Sequence, residues 1–110
     1  MRNKNYVGGS VLVSVRIWKS TRAIQAAQMR PMGTLVNESL DKLVHWLQMG
    51  DALQSQGLKL IRAKDIKESY EEGRSTYTKI RIRRQNYDYI KQNMLTISQC
   101  VNYAVKWFGV

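Results

Sequence analysis

VLVSVRI at residues 11–17 and YTKIRIR at residues 77–83 decide the fold of this chain. Apolar and polar residues alternate in both stretches, and most of the apolar ones are β-branched, which predicts two β-strands. The inward faces would consist of Val11, Val13, Val15 and Ile17 in the first strand and of Thr78, Ile80 and Ile82 in the second. The other face of the second strand carries Lys79, Arg81 and Arg83, and burying such a row of like charges without partners would be prohibitive. We therefore expect this cationic face to meet solvent or a polyanion.

Both stretches belong to a longer internal repeat. Residues 15–17 align with residues 80–82 at an offset of 65 positions, and residues 44–47 align with residues 105–108 at an offset of 61. The difference between these two offsets predicts that four residues are missing from the second copy. Four residues make about one helical turn, so their loss would keep the buried face nearly in phase. Each copy then contains a strand, a short helix, a turn and an apolar helix, which predicts an internal pseudo-dimer.

Two helices are predicted after the first strand. In the first copy a short helix should end near Met29, because Pro31 disfavours helical geometry at the residue before it. Gly33 is expected to supply a turn, and Thr34 is expected to cap a longer helix that starts near Leu35. Apolar residues at three- and four-residue intervals give that helix a stripe that faces the core.

The chain of 110 residues is expected to form a single domain. Its two copies would span residues 11–47 and 76–110, with a connector at 48–75 that has no counterpart in either copy. Within the connector, residues 58–61 are typical of a short strand and residues 65–72 of a charged helix. The connector would carry the chain from the end of one copy to the start of the other.

The charge of the chain is strongly positive, with 18 Lys and Arg against 8 Asp and Glu and a net charge of +10. In a chain of this size such an excess favours a polyanionic partner, and nucleic acid is the commonest one inside cells. The alternatives are a basic surface that maintains solubility and one that meets an acidic membrane. Because basic residues concentrate in and beside the second strand, nucleic acid is the favoured partner.

Other classes of protein are disfavoured. No stretch approaches the roughly 18 to 20 apolar residues that a membrane span requires, and the basic N-terminus lacks the apolar run of a secretory signal. The single Cys100 cannot form an internal disulfide, which agrees with an intracellular location. His45 is the only histidine and is far from Cys100 in sequence, so no metal-ligand spacing or catalytic arrangement can be assembled. We expect no enzymatic activity, no metal, no cofactor and no small-molecule ligand.

The segment GTLVNESL at residues 33–40 resembles the glycine turn and Val-Asn helix start of the ribbon-helix-helix family of transcriptional regulators, which includes the Arc and MetJ repressors. A tandem form is similar to small regulators of archaeal viruses, whose location would be the host cytoplasm. The second copy lacks the glycine, since Met94 aligns with Gly33. The resemblance implies an α+β, mostly helical fold in which two tandem ribbon-helix-helix units form an intrachain pseudo-dimer with a two-stranded, or three-stranded, antiparallel ribbon. In this family the ribbon enters the major groove of double-stranded DNA and regulates transcription, often as a repressor.

The resemblance also implies roles for individual residues. The base-reading residues would be Leu12, Ser14, Arg16, Tyr77, Lys79, Arg81 and Arg83, and the phosphate-binding amides would be those of Val36, Asn37, Ile97 and Ser98. Arginine donates to O6 and N7 of guanine, which makes Arg16 and Arg81 the best base readers. Leu12 departs from the polar residue usual at its position and would either contact a thymine methyl or be covered by a neighbouring strand. Because the two strands differ, we expect an asymmetric or imperfectly palindromic DNA site.

Two alternative functions stay open at this point. One is a basic protein that coats nucleic acid without sequence preference, and the other is an antitoxin-like interaction module whose connector grips a protein partner. Stacking of Trp46 and Trp107 on single-stranded bases is less favoured than packing in or beside the core, because they fall at matching positions in the two copies. Double-stranded DNA is the expected partner, with assembly of several copies along DNA as a further hypothesis and no membrane partner.

Overall fold

The computed structural model describes residues 9–49, 57–59, 61 and 76–109. These ranges contain the elements β1 (Ser10–Ile17), α1 (Lys19–Gln28), α2 (Met32–Leu47), β2 (Thr76–Arg83), α3 (Arg84–Gln92) and α4 (Ile97–Phe108). The fold is α+β and mostly helical, with one two-stranded antiparallel sheet and no third strand in the described part of the chain. The order of strand, helix and helix therefore occurs twice.

The register of the two strands is centred on one pair of residues. Strands β1 and β2 run antiparallel, with Ser14 opposite Lys79, Leu12 opposite Arg81 and Arg16 opposite Tyr77. Ser14 and Lys79 are also 65 positions apart, which is the offset that the strand sequences predict. This register is the one that a two-fold axis through the Ser14–Lys79 pair would generate.

The predicted faces of the strands are confirmed. The buried positions alternate with exposed ones along β1 and β2, as the period of two requires. The side chains that point to the core include Val15, Ile17, Ile80 and Ile82, whereas those exposed on the outward face are Leu12, Ser14, Arg16, Tyr77, Lys79, Arg81 and Arg83. No base-reading candidate is buried.

Helices α2 and α4 form the layer behind the ribbon. They pack against each other, and each crosses to the strand of the other copy, so that α2 contacts β2 and α4 contacts β1. The shared core contains Leu35, Leu40 and Leu43 from α2 and Val101 and Val105 from α4, all fully buried. Each such side chain contributes roughly 1.5 to 3 kcal/mol, and an isolated strand pair is only marginally stable in water. The two copies are therefore interlocked around one core.

The repeat keeps a single offset, which corrects the predicted loss of four residues inside the second copy. Met29 and Met94 both adopt the left-handed backbone conformation, with φ of 54° and 56°, in the turns that precede α2 and α4. These turns, like the first residues Met32 and Ile97 of the two helices, are 65 positions apart. Helix α4 has 12 residues and α2 has 16, so the missing turn lies at the C-terminal end. The offset of 61 arose because apolar residues at three- and four-residue intervals in α2 and α4 can be aligned in more than one way.

The predicted glycine turn is also wrong. Gly33 lies in the first turn of α2, and the left-handed residue of the turn is Met29, whose N–H donates to the carbonyl of Ala26. Helix α1 ends at Gln28, as predicted, but α2 begins at Met32, with Pro31 just before it. Proline is tolerated there because the first helical turn needs no N–H donor from that residue.

The connector contributes to the core. The strand predicted at residues 58–61 is wrong, because residues 57–59 and 61 are helical. Ile61 is fully buried, and Gly57 lies so close to the ring of Trp46 that a side chain would collide with it. The helix predicted at residues 65–72 lies outside the described residues. None of the described helices has the length and apolarity needed to cross a membrane.

Candidate nucleic-acid interface

The outward face of the ribbon carries positive charge and no negative charge. Neither β1 nor β2 contains an acidic residue, and Arg16, Lys79 and Arg81 are exposed. Within the described residues, the side chains of Lys79 and Arg81 form no hydrogen bond or ion pair. Their donor groups are therefore exposed to solvent and available for an interaction.

The register also separates these charges across the strands. Directly opposite residues in an antiparallel pair have Cβ atoms about 4.5 to 5.5 Å apart, where like charges destabilise the sheet. Here Lys79 faces Ser14, Arg81 faces Leu12 and Arg16 faces Tyr77, so that each cation lies opposite a neutral side chain. The ribbon can thus present three cations without placing two of them face to face.

Arg83 differs from the other predicted base readers. Its guanidinium forms an ion pair with the Asp41 carboxylate of α2, and that carboxylate also accepts a hydrogen bond of 2.7 Å from Asn86. Both partners of the ion pair are partly exposed, so it contributes at most about 1 kcal/mol. The structure therefore places the Arg83 guanidinium in a contact between the end of the ribbon and α2, unlike the side chains of Lys79 and Arg81.

Asn37 joins α2 to the backbone of β2. Its Nδ2 donates to the carbonyls of Arg81 and Gly33, each at 2.8 Å, and its Oδ1 accepts from the N–H of Arg83 at 3.0 Å. The backbone of β2 is thus held at Arg81 and at Arg83, on either side of Ile82. Arg81 is one of the candidate base readers.

Asn102 makes the same connection between α4 and the end of β1. Its Nδ2 donates to the carbonyls of Arg16 at 2.8 Å and Ser98 at 2.7 Å, and its Oδ1 accepts from the N–H of Trp18 at 3.0 Å. The Oδ1 atom also accepts from the Thr21 hydroxyl at 2.7 Å. All four hydrogen bonds of the Asn102 side chain are made to other groups of the protein, and the residue is fully buried.

We call Asn37 and Asn102 the asparagine clamps. Sequence reasoning missed this role, since it assigned Asn37 to phosphate binding and gave Asn102 none. The detectable signal was the identity of the two residues at the offset of 65 positions, which the false offset of 61 concealed.

The amides predicted to bind phosphate need correction in the first copy. The first intrahelical bond of α2 runs from the N–H of Leu35 to the carbonyl of Pro31, so the end-of-helix amides are those of residues 32–34. Val36 is fully buried in the second turn, and Asn37 is a clamp. These two residues therefore do not form the N-terminal amide site.

The prediction for α4 falls in the first turn of that helix. The Cys100 N–H donates to the Thr96 carbonyl, which leaves residues 97–99, including Ile97 and Ser98, at the helix start. The Ser98 hydroxyl in addition accepts a hydrogen bond of 2.9 Å from the N–H of Arg16. Gly33 at the equivalent position of α2 has no side chain for such a bond.

The remaining reactive and aromatic residues lie away from the outward face. Burial raises the pKa of the Cys100 thiol from its ordinary value of 9.0 to about 12. Trp18 is buried and packs edge-to-face on Tyr103 at a centroid distance of 5.3 Å, and Trp46 packs on Trp107 at 6.0 Å. These aromatic rings are engaged in packing between elements. Among the described residues, no group of three or more His, Cys, Asp and Glu side chains could hold a metal ion.

No family model, curated protein or solved structure matches this chain.

Proposed function

We propose that this protein is a sequence-specific regulator of transcription that binds double-stranded DNA through the β1–β2 ribbon. In this proposal the two strand-helix-helix units are tandem ribbon-helix-helix motifs that form an intrachain pseudo-dimer. The observation that carries it is the register centred on Ser14 and Lys79, with Arg16, Lys79 and Arg81 exposed on the outward face.

The dimensions of the ribbon suit the major groove. The groove is about 12 Å wide and admits a two-stranded ribbon, whose strands lie about 4.8 Å apart. Exposed guanidinium groups can donate to O6 and N7 of guanine, and a good bidentate pair discriminates against other bases by about 1 to 3 kcal/mol. Arg16 and Arg81 occupy equivalent positions in the two strands, so they would read the two halves of one site.

The asparagine clamps favour sequence-specific binding over coating. A protein that only neutralises phosphates needs positive charge but no fixed backbone beneath it. Here the carbonyls of Arg16 and Arg81 are each held by a clamp, at 2.8 Å in both cases. A backbone that is already fixed beneath the binding side chains lowers the entropy cost of association.

The helix starts would position the ribbon on the DNA backbone. The amides of residues 32–34 and 97–99 lie at the positive ends of α2 and α4, where phosphate groups bind favourably. Such contacts orient a protein on the duplex but do not distinguish sequences. In this arrangement the ribbon supplies the specificity and the helix starts supply the alignment.

Selection of bound sequences from a random duplex pool tests the proposal. We expect enrichment of one site with a guanine in each half, read by Arg16 and Arg81. Binding without enrichment would favour a coating protein. Failure to bind duplexes, together with a protein partner that copurifies after nuclease and high-salt treatment, would favour an interaction module.

A further inference from the structure

Two large apolar or aromatic side chains interrupt the cationic face. Leu12 is 51% exposed and Tyr77 is 69% exposed, and both point outward because they alternate with the buried positions of their strands. They are 65 positions apart and therefore occupy equivalent places in the ribbon. A single exposed leucine is ordinary on a protein surface, but this one lies within the face assigned to DNA.

The register gives each of them an arginine as a neighbour. Leu12 lies opposite Arg81, at the end of the ribbon that the Asn37 clamp attaches to α2. Tyr77 lies opposite Arg16, at the end that Asn102 attaches to α4. Each end of the ribbon thus has an arginine, but the residue opposite is a leucine at one end and a tyrosine at the other.

The middle of the ribbon is unequal as well. Lys79 and Ser14 lie opposite each other where a two-fold axis would pass. One strand therefore supplies an ammonium group at the centre, and the other supplies a hydroxyl. A perfect inverted repeat would present the same base pattern to both strands, so these unequal groups match it poorly.

We propose that Leu12 and Tyr77 are specificity-determining residues that hold the protein in one orientation on an asymmetric site, an inference that rests on the proposed function. The Leu12–Arg81 end reads a guanine next to a thymine, whose 5-methyl group contacts Leu12 in the major groove. The Tyr77–Arg16 end reads a guanine next to a base whose N7, O6 or O4 acceptor receives a hydrogen bond from the phenolic hydroxyl.

Removal of single thymine methyl groups tests the contact of Leu12. In the selected site each thymine is replaced in turn by uracil, which lacks only the 5-methyl group. We expect one replacement to weaken binding about fourfold, because the free energy gained by burying one methyl group is lost. The variants Leu12→Ser and Leu12→Gln carry no methyl group and should bind the thymine and uracil duplexes equally. Equal sensitivity in the wild-type protein and both variants, or no sensitive thymine, would overturn the contact.

Directed cleavage of DNA tests the orientation. Met29 and Met94 are 89% and 87% exposed and stand at equivalent positions before α2 and α4. In Met29→Cys and Met94→Cys the introduced thiol can be labelled with an iron chelate, while the buried Cys100 stays unlabelled. We expect the two labelled variants to cleave opposite sides of the site, each on one side only.

The outcomes separate this inference from the proposed function. Cleavage by each variant on both sides of the selected site would overturn the fixed orientation and leave DNA recognition by the ribbon intact. Absence of any sequence-dependent binding by the unlabelled protein would overturn both.

Discussion

Asn37 and Asn102 hold the two ends of the ribbon by matching sets of hydrogen bonds. Each donates from Nδ2 to the carbonyl of a strand arginine and to the carbonyl four residues earlier in its own helix. Each also accepts, on Oδ1, the N–H of the residue two positions after that arginine. The same side chain thus satisfies the polar groups at the end of a strand and fixes the strand on its helix.

Loss of a clamp should destabilise the protein, and more so at the buried one. In Asn102→Ala, the buried N–H of Trp18 and the partly buried carbonyl of Arg16 lose their partner, which lowers the free energy of unfolding by about 2 to 4 kcal/mol. Asn37 is only half-buried, so water can replace part of its bonds, and we expect about 1 to 2 kcal/mol for Asn37→Ala. Urea denaturation measures both values. Gln92→Ala removes an exposed amide and should change little; an equal loss in all three variants would contradict the role of the clamps.

Arg81→Ala should reduce discrimination between DNA sequences. Because the guanidinium would read a guanine, the preference for the selected site over a scrambled duplex should fall by about 1 to 3 kcal/mol. Competition binding at constant salt concentration measures this preference. The control is Lys59→Ala, which removes one exposed charge outside the ribbon. A loss of affinity that is the same for both duplexes in both variants would show that Arg81 supplies charge alone.

Thr34→Glu should change folding and DNA binding in opposite directions. Thr34 is exposed in the first turn of α2, where a carboxylate interacts favourably with the helix dipole and adds about 0.3 to 1 kcal/mol to stability. The same carboxylate would repel a phosphate at the helix start and weaken binding to specific and non-specific duplexes alike. Thermal unfolding and fluorescence anisotropy give the two readouts. Thr34→Gln, which is uncharged, serves as the control, and unchanged affinity in Thr34→Glu would exclude the helix start as a phosphate site.

Cys100 should react slowly with thiol reagents in the folded protein and rapidly in urea. Burial raises its pKa to about 12, so almost no thiolate is present at pH 8, and the thiolate is the reactive form. The pKa of the thiol is higher in the folded protein than the unfolded value of 9.0, because the folded protein favours the neutral thiol. The burial of the neutral thiol therefore contributes fully to stability below pH 9, and this contribution is lost as the pH rises toward 12. Cys100→Ala should show a smaller decline of stability over this range. Rapid labelling of the folded protein at pH 8 would contradict the burial.

The strands and their faces could be predicted because a period of two fixes both at once. Once Lys79 and Arg81 were assigned to the outward face, Ile80 and Ile82 had to face the core, and the structure agrees. The offset of 65 positions makes Ser14 equivalent to Lys79, but it does not by itself fix which residues lie opposite each other. The register is fixed by hydrogen bonds that join residues far apart in sequence, and these leave no local signal.

The helices were harder to place, because apolar residues spaced by three and four fit several phases. Trp46 and Trp107 suggested an offset of 61, yet they are contacting residues on two helices rather than equivalent ones. The turn before α2 was assigned to Gly33 because glycine readily adopts positive φ, whereas Met29 adopts it in the structure. The clamp bonds of Asn102 to residues more than 80 positions away had no local signal at all.

Methylation interference at guanine N7 tests most directly whether the ribbon reads the major groove. N7 lies in that groove, so we expect methylation of one guanine in each half of the selected site to block binding by the wild-type protein. Arg81→Ala should become insensitive to methylation of the guanine beside Leu12 and stay sensitive to the other. Strong binding that no guanine N7 methylation affects would contradict the account.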